Sequence, residues 1–426
     1  VSTEAGRASG RHQIVLLAGA FFASSALGLL LLAVLARWLT PAENAQFLAW
    51  WGLLFAFASV LGSVEQEVAR QSAEATMDGR RVPRGAAQMV LVVTAGSFLV
   101  FGVLVATPAG RTATAESAVV VLFTYLALSG FAVQIATRGL LLGESSYLRY
   151  VVVILGEALI RAVVAAVVVL QGVEASVEWA VLITTLGSFA WLPVARHAFA
   201  RVEWRGPRFA WRRVVSTVAA LALANGLSAL VLTGYPAVAA VAIGAADELG
   251  NLFAAVTIAR VPLVLLAPVQ ALTVPTVVRW VRRGRVDKLR RATSLVALGS
   301  AVGALLAALL AYEFGPGAVR IAMGEQYDAA GSMCALVAAA AVLMAAALLQ
   351  AGVLVALKRY WHLTACWALA TASAGAVLAG LPAEPEARGA WGFLVAALVS
   401  AIATRGAIGR ISAHPPDDMA DADAHA

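Results

Sequence analysis

Apolar runs of about twenty residues, separated by short polar breaks, recur along the whole chain. Each is the length a helix needs to cross a bilayer, roughly 20 residues. Twelve such spans can be drawn. They are Ile14–Ala36, Ala45–Val64, Ala86–Pro108, Ser117–Thr137, Val151–Leu170, Ser176–Ala195, Val214–Tyr235, Asn251–Val278, Ala292–Tyr312, Ser332–Leu357, Trp361–Leu381 and Gly389–Thr404. The short apolar segment Pro236–Gly244 reads as an extension of the seventh span. Continuous apolar runs, without two-residue alternation, predict helices and not a β-barrel. The first run follows Arg7 and Arg11, is too long for a signal-peptide core, and reads as a retained helix.

The charges test that count. Of 31 Lys and Arg, 25 fall in the N-terminus, the even-numbered connections and the C-terminal tail, and four (Arg37, Arg111, Arg320, Arg388) in the opposite loops. A missed or extra helix would have mixed the two sets. The bias predicts a multi-pass protein of the bacterial cytoplasmic membrane with both termini in the cytoplasm. It also accounts for the net charge of +7 without nucleic acid. Arg196–Arg213 and Arg279–Arg291 read first as topology signals and second as docking sites for anionic lipid head groups.

Composition agrees: the chain is 61% hydrophobic and only 13% charged, against about 25% charged in soluble domains. Cys334 and Cys366 lie inside apolar runs, so neither a disulfide nor a metal site is expected. The histidines lack metal-ligand spacing, there is no P-loop, and the outward loops are short. We therefore expect no enzyme active site, no metal and no cofactor. Trp38, Trp50, Trp51, Trp179, Trp204, Trp211 and Trp280 fall near span ends and read as interface anchors.

The halves resemble each other. PAENAQF (Pro41–Phe47) pairs with ADELGNL (Ala246–Leu252), an offset of 205 from Glu43 to Glu248. RGLLLGESSYL (Arg138–Leu148) pairs with AGVLVALKRYW (Ala351–Trp361), an offset of 213 from Gly139 to Gly352, with Tyr147 matching Tyr360. Two like-oriented six-helix halves follow, with a site between them. The expected fold is an all-α membrane protein of about twelve helices in two six-helix bundles around a central cavity. The domains would be 1–200, a cytoplasmic linker 201–213, 214–410, and a disordered cytoplasmic tail 411–426.

The polar residues inside spans are the candidate chemistry. Arg260 sits near mid-depth of Asn251–Val278, among Pro262, Pro268 and Pro275. An arginine there costs on the order of 2.5–3.5 kcal/mol, so it should face protein or water. It either binds an anionic substrate such as a diphosphate or pairs structurally with a carbonyl or carboxylate. Glu157 and Arg161, at i,i+4, either neutralise each other or form an ion-linked switch. Asn225 beside Gly226 suits close helix packing or cavity lining. Glu65, Glu67 and Arg70 form a charged cluster at the end of the second span. Interfacial solvation explains that cluster, with Arg70 as a further substrate-binding candidate.

ARWLTPAENAQF (Ala36–Phe47), TRGLLLGESSYLRY (Thr137–Tyr150), Gly244–Pro275, AMGEQYDAAG (Ala322–Gly331) and RGAWGFLVAALVSA (Arg388–Ala401) resemble, in order, segments of polysaccharide-export flippases. These belong to the multidrug/oligosaccharidyl-lipid/polysaccharide superfamily. The resemblance implies two bundles, alternating access and a polyprenyl-diphosphate-linked oligosaccharide as cargo. Arg260 matches a cavity arginine of the lipid II branch. The first-helix arginines of that branch have no counterpart within Ile14–Ala36, which favours a polysaccharide-type substrate. The implied partners are the lipid-linked glycan, membrane lipids, and a polymerase or glycosyltransferases of the same pathway. A cation-coupled multidrug exporter, a glycan polymerase or ligase, and a non-transporting member of a glycan assembly complex are the competing readings.

Overall fold

The computed structural model describes residues 2–205, 222–223, 225–243, 249–265, 273, 276–277, 279–281, 283, 285–357 and 359–413. Most of the expected linker, the tail beyond 413, Pro268, Pro275, Glu248 and Trp211 lie outside these residues. The chain divides into two compact units, Val1–Ala229 and Leu230–Ala426. The division falls inside the seventh predicted span.

The first unit contains α1 (Ser2–Trp38), α2 (Pro41–Met77), α3 (Arg84–Ala106), α4 (Pro108–Ala113), α5 (Ala118–Gly143), α6 (Tyr147–Leu170), α7 (Val177–Gly187) and α8 (Ala195–Phe199). The start of α2 is written in the sequence. Pro41 stands in the first turn, and Thr40 and Glu43 close a reciprocal capping box. Ser117 and Ser176 cap α5 and α7 in the simpler one-way form. α2 and α5 pack closely because α5 offers glycines where α2 approaches. A Cβ at Gly139 would lie 2.8 Å from the Glu65 carbonyl oxygen, and one at Gly143 would lie 2.4 Å from that of Ala69. Small residues four apart let membrane helices meet backbone to backbone.

At one end of this unit a two-residue parallel pairing joins β1 (Val82–Pro83) to β2 (Val202–Glu203). It ties the basic loop after α2 to the segment after α8. Val82 and Val202 bury with Val68, Leu140, Tyr150 and Ala198. Nothing in the hydrophobic pattern predicts this pairing, since two-residue strands carry no periodicity.

The straddling helix α9 (Asn225–Leu232) is followed by α10 (Tyr235–Ile243) at a bend of 73°. Pro236–Gly244 thus continues the seventh span in sequence but not in direction. The second unit continues with α11 (Gly250–Ala259), α12 (Val261–Leu265), α13 (Val286–Met323), α14 (Gly331–Ala356), α15 (Tyr360–Gly380) and α16 (Pro385–Ala413). α13 runs far past its predicted end, with Pro316 inside it, and stops at Gly324, whose φ of 127° suits only glycine. The core gathers Tyr235, Leu252, Phe253, Trp367 and Phe393.

Among the described residues, ten helices are long and apolar enough to span a membrane, with the bent pair and the shorter apolar Gly250–Leu263 besides. The chain is an all-α, multi-pass membrane protein. Exposed Leu295, Leu298, Val302, Leu305 and Leu309 on α13 are lipid-facing positions in such a protein. The proposed repeat has a local counterpart: Tyr147 opens α6 after α5, and Tyr360 opens α15 after α14.

Trp50 is not an interface anchor. It is 1% exposed, and its indole N–H donates to Thr124 Oγ1 at 2.7 Å, joining α2 to α5. Trp51 stacks on Phe55, ring centroids 4.6 Å apart.

Candidate functional site

Arg260 occupies the turn between α11 and α12. Its backbone N–H still donates to the Val256 carbonyl, and its own carbonyl accepts from Leu263 N–H. Pro262 has no N–H to offer, and the chain breaks here into two short helices. The guanidinium carbon lies 5.7 Å from the centroid of the Phe393 ring on α16, within cation–π range. Phe393 packs against Tyr235 at 4.9 Å between centroids, and the Tyr235 hydroxyl donates to the Gly389 carbonyl. Tyr235 and Phe393 thus back Arg260 with aromatic surface and give its side chain no counter-charge.

The nitrogens follow from that. Nε and Nη2 of Arg260 are inaccessible to solvent and have no hydrogen-bond partner, while the residue as a whole is only half-buried. Donors enclosed in this way cost on the order of 1–3 kcal/mol each when left unmade. In this conformation no ligand reaches them; an anionic oxygen pair would match the forked geometry of the guanidinium in a state that uncovers it.

Glu157 and Arg161 do meet. Arg161 Nη2 lies 2.7 Å from Glu157 Oε1. Gln134 of α5 donates to Glu157 Oε2 at 2.5 Å, and Arg161 Nε donates to the Thr184 carbonyl at 3.2 Å. Three rings surround the guanidinium, Trp51 at 5.5 Å, Phe131 at 5.6 Å and Phe55 at 5.7 Å. Gly187 makes room for it, since a Cβ there would sit 2.4 Å from Arg161 Nε. The pair is built into the packing of α2, α5, α6 and α7.

Arg70 is engaged on its own helix. It contacts Glu67 and Glu74, each at 2.5 Å, on an exposed face. Glu65 does not join that cluster. It turns inward, accepts from the Tyr150 hydroxyl at 3.0 Å and pairs with Arg138 at 3.1 Å. Asn225 is half-buried, and its carbonyl accepts from Ser228. A Cβ on neighbouring Gly226 would come 3.0 Å from Val60.

Sequence reasoning missed Gln134, Arg138 and Tyr150. Gln134 was legible as a polar residue in the fourth span. Arg138 was absorbed into the count of loop charges, and only the fold turns it back toward α2. Among the described residues no group of His, Cys, Asp and Glu could hold a metal ion.

No family model matches the chain. It is 29% identical to the uncharacterized protein Rv3630 of Mycobacterium tuberculosis over 374 residues, 83% of this chain and 82% of that one. It is 32% identical to the uncharacterized protein Rv1510 of the same species over 275 residues, 61% of this chain and 60% of that one. Solved structures match nearly end to end. A multidrug resistance MATE family transporter of the MOP superfamily, in its inward-facing conformation, aligns with TM-score 0.71 at 14% identity, covering 92% of this chain and 96% of that one. An outward-facing conformation of such a transporter gives TM-score 0.59 at 16% identity, over 94% and 95%. A MOP superfamily transporter from Pyrococcus furiosus, described as having a binding pocket of reverse polarity, gives 0.57 at 17%, over 94% and 95%. The chain therefore has the two-lobe helical fold of MATE transporters.

Proposed function

We propose that the chain is a membrane transporter working by alternating access. Its cargo is a polyprenyl-diphosphate-linked oligosaccharide, flipped across the bacterial cytoplasmic membrane for surface polysaccharide synthesis. The observation that carries this reading is the Arg260 guanidinium, with two enclosed and unpartnered nitrogens over an aromatic wall. Arg260 holds the diphosphate, and the lipid tail stays in the bilayer. Only a difference in affinity between the two access states can drive the exchange. The order of flippase-like segments along the sequence supports the choice of cargo, and the lopsided distribution of Lys and Arg supports cytoplasmic termini. Glycosyltransferases and a polymerase acting on the same lipid-linked glycan are the partners this cargo implies.

The matched multidrug transporters favour a second reading, cation-coupled drug export. It needs a carboxylate free to exchange its cation. Glu157 has both oxygens engaged, by Arg161 and Gln134, which lends that reading little support.

The test is complementation in a strain lacking its own copy. Arg260→Ala should abolish surface polysaccharide while Arg260→Lys retains part of it. Wild-type polysaccharide with Arg260→Ala removes Arg260 from the mechanism. Drug resistance on overexpression, with surface polysaccharide unchanged on deletion, selects the exporter.

A further inference from the structure

A groove of about 260 Å³ opens within the second unit, lined by Val277, Trp280, Leu289, Thr293, Leu349 and Gln350 among others. Pockets that enclose a whole drug-sized molecule start at roughly 300 Å³. This one has room for a hydrocarbon chain but not for a head group as well. Two of the polar side chains that line it are buried, Thr293, which donates to the Leu289 carbonyl, and Gln350. Gln350 is 2% exposed, and one end of its amide is held by Thr404 at 2.7 Å. Its amide nitrogen makes no hydrogen bond with a described residue, and Gln350 is among the lining residues.

The rim is basic. The carbonyl of the lining residue Trp280 accepts from the backbone N–H groups of Arg283 and Arg285, and Arg283, Arg285 and Lys288 are exposed, with Asp287 as the acid among them. Trp280, part of the wall, is a residue type that favours the level where head groups meet hydrocarbon.

We propose that this groove binds one anionic phospholipid of the surrounding membrane. An acyl chain lies along Val277, Leu289 and Leu349, the Gln350 amide meets the ester region, and the phosphate rests among Arg283, Arg285 and Lys288. The basic run Arg279–Arg291 then has a ligand in addition to its part in topology. Charge complementarity selects the occupant: a zwitterionic lipid gains nothing from the rim, whereas each Lys or Arg near an anionic head group adds attraction. The site lies apart from Arg260 and does not depend on the proposed cargo.

Native mass spectrometry of the full chain in mild detergent tests this, titrating phosphatidylglycerol against phosphatidylcholine. One phosphatidylglycerol should bind at least about tenfold more tightly than phosphatidylcholine. The surface variant Arg283→Gln/Arg285→Gln/Lys288→Gln should erase that preference. Ala292→Trp, which fills the groove, should lose the retained lipid. Equal affinity of the wild type for both lipids overturns the proposal, as does phosphatidylglycerol retained by a folded Ala292→Trp. Displacement of bound phosphatidylglycerol by equimolar polyprenyl diphosphate also overturns it, assigning the groove to a cargo tail.

Discussion

Arg161 and Glu157 stand one helical turn apart on α6 and approach to 2.7 Å, yet Arg161 Nη2 is not aligned for a hydrogen bond. The contact is an ion pair held by its surroundings. Trp51, Phe55 and Phe131 fix the guanidinium from the sides, and Gln134 fixes the carboxylate from α5. Charges enclosed in this way stabilise a fold little as a pair but destabilise it strongly when one is removed.

Glu157→Gln should therefore lower the unfolding temperature of the detergent-solubilised protein, at a cost of about 3–5 kcal/mol. The double variant Glu157→Gln/Arg161→Met should recover most of the loss. Thermal unfolding followed by size-exclusion fluorescence reads both. A Glu157→Gln protein as stable as wild type would mean that the pair is not structural and would return Glu157 to candidacy as a coupling carboxylate.

Arg260 should behave in the opposite way. Its enclosed nitrogens are unpartnered, so Arg260→Met relieves a penalty on the order of 1–3 kcal/mol for each. The variant should unfold at the same temperature as wild type or higher, while surface polysaccharide is lost in the complementation strain. Loss of stability together with loss of polysaccharide would point to a structural arginine.

The contact of α2 with α5 should tolerate no side chain at Gly143. A Cβ there meets the Ala69 carbonyl oxygen at 2.4 Å and the Ala73 nitrogen at 2.7 Å, both backbone atoms that cannot rotate away. Gly143→Ala should cost about 1–3 kcal/mol through overpacking, and Gly143→Val should prevent accumulation in the membrane. Gly19→Ala, where nothing lies within 4 Å, serves as the neutral control. Expression and unfolding temperature of the three variants give the comparison.

Topology can be read with thiol chemistry. Cys334 and Cys366 are buried, so the native chain should resist an impermeant maleimide in intact cells. Arg410→Cys, on the exposed end of α16, should label only after the membrane is permeabilised. Labelling in intact cells would reverse the orientation argued from the basic loops.

The hydrophobic pattern alone determined that this chain lives in a membrane as a stack of helices. Water cannot satisfy backbone groups in hydrocarbon, so every long apolar run must form its own internal hydrogen bonds. It also located Arg260, Glu157 with Arg161, and Asn225, since a polar residue in an apolar run is conspicuous wherever it finally points. It could not say which of them has a partner. Partnership depends on neighbours distant in sequence: Gln134 for Glu157, Thr184 for Arg161, Phe393 for Arg260. The same limit mistook Trp50 for an anchor, because only Thr124 on another helix reveals it as core. Arg138 went into a tally of loop charges, when α5 in fact carries it back to Glu65. Periodicity records how a residue relates to its own helix. Whether a charge is neutralised or left waiting for a ligand is decided by what the other helices bring against it.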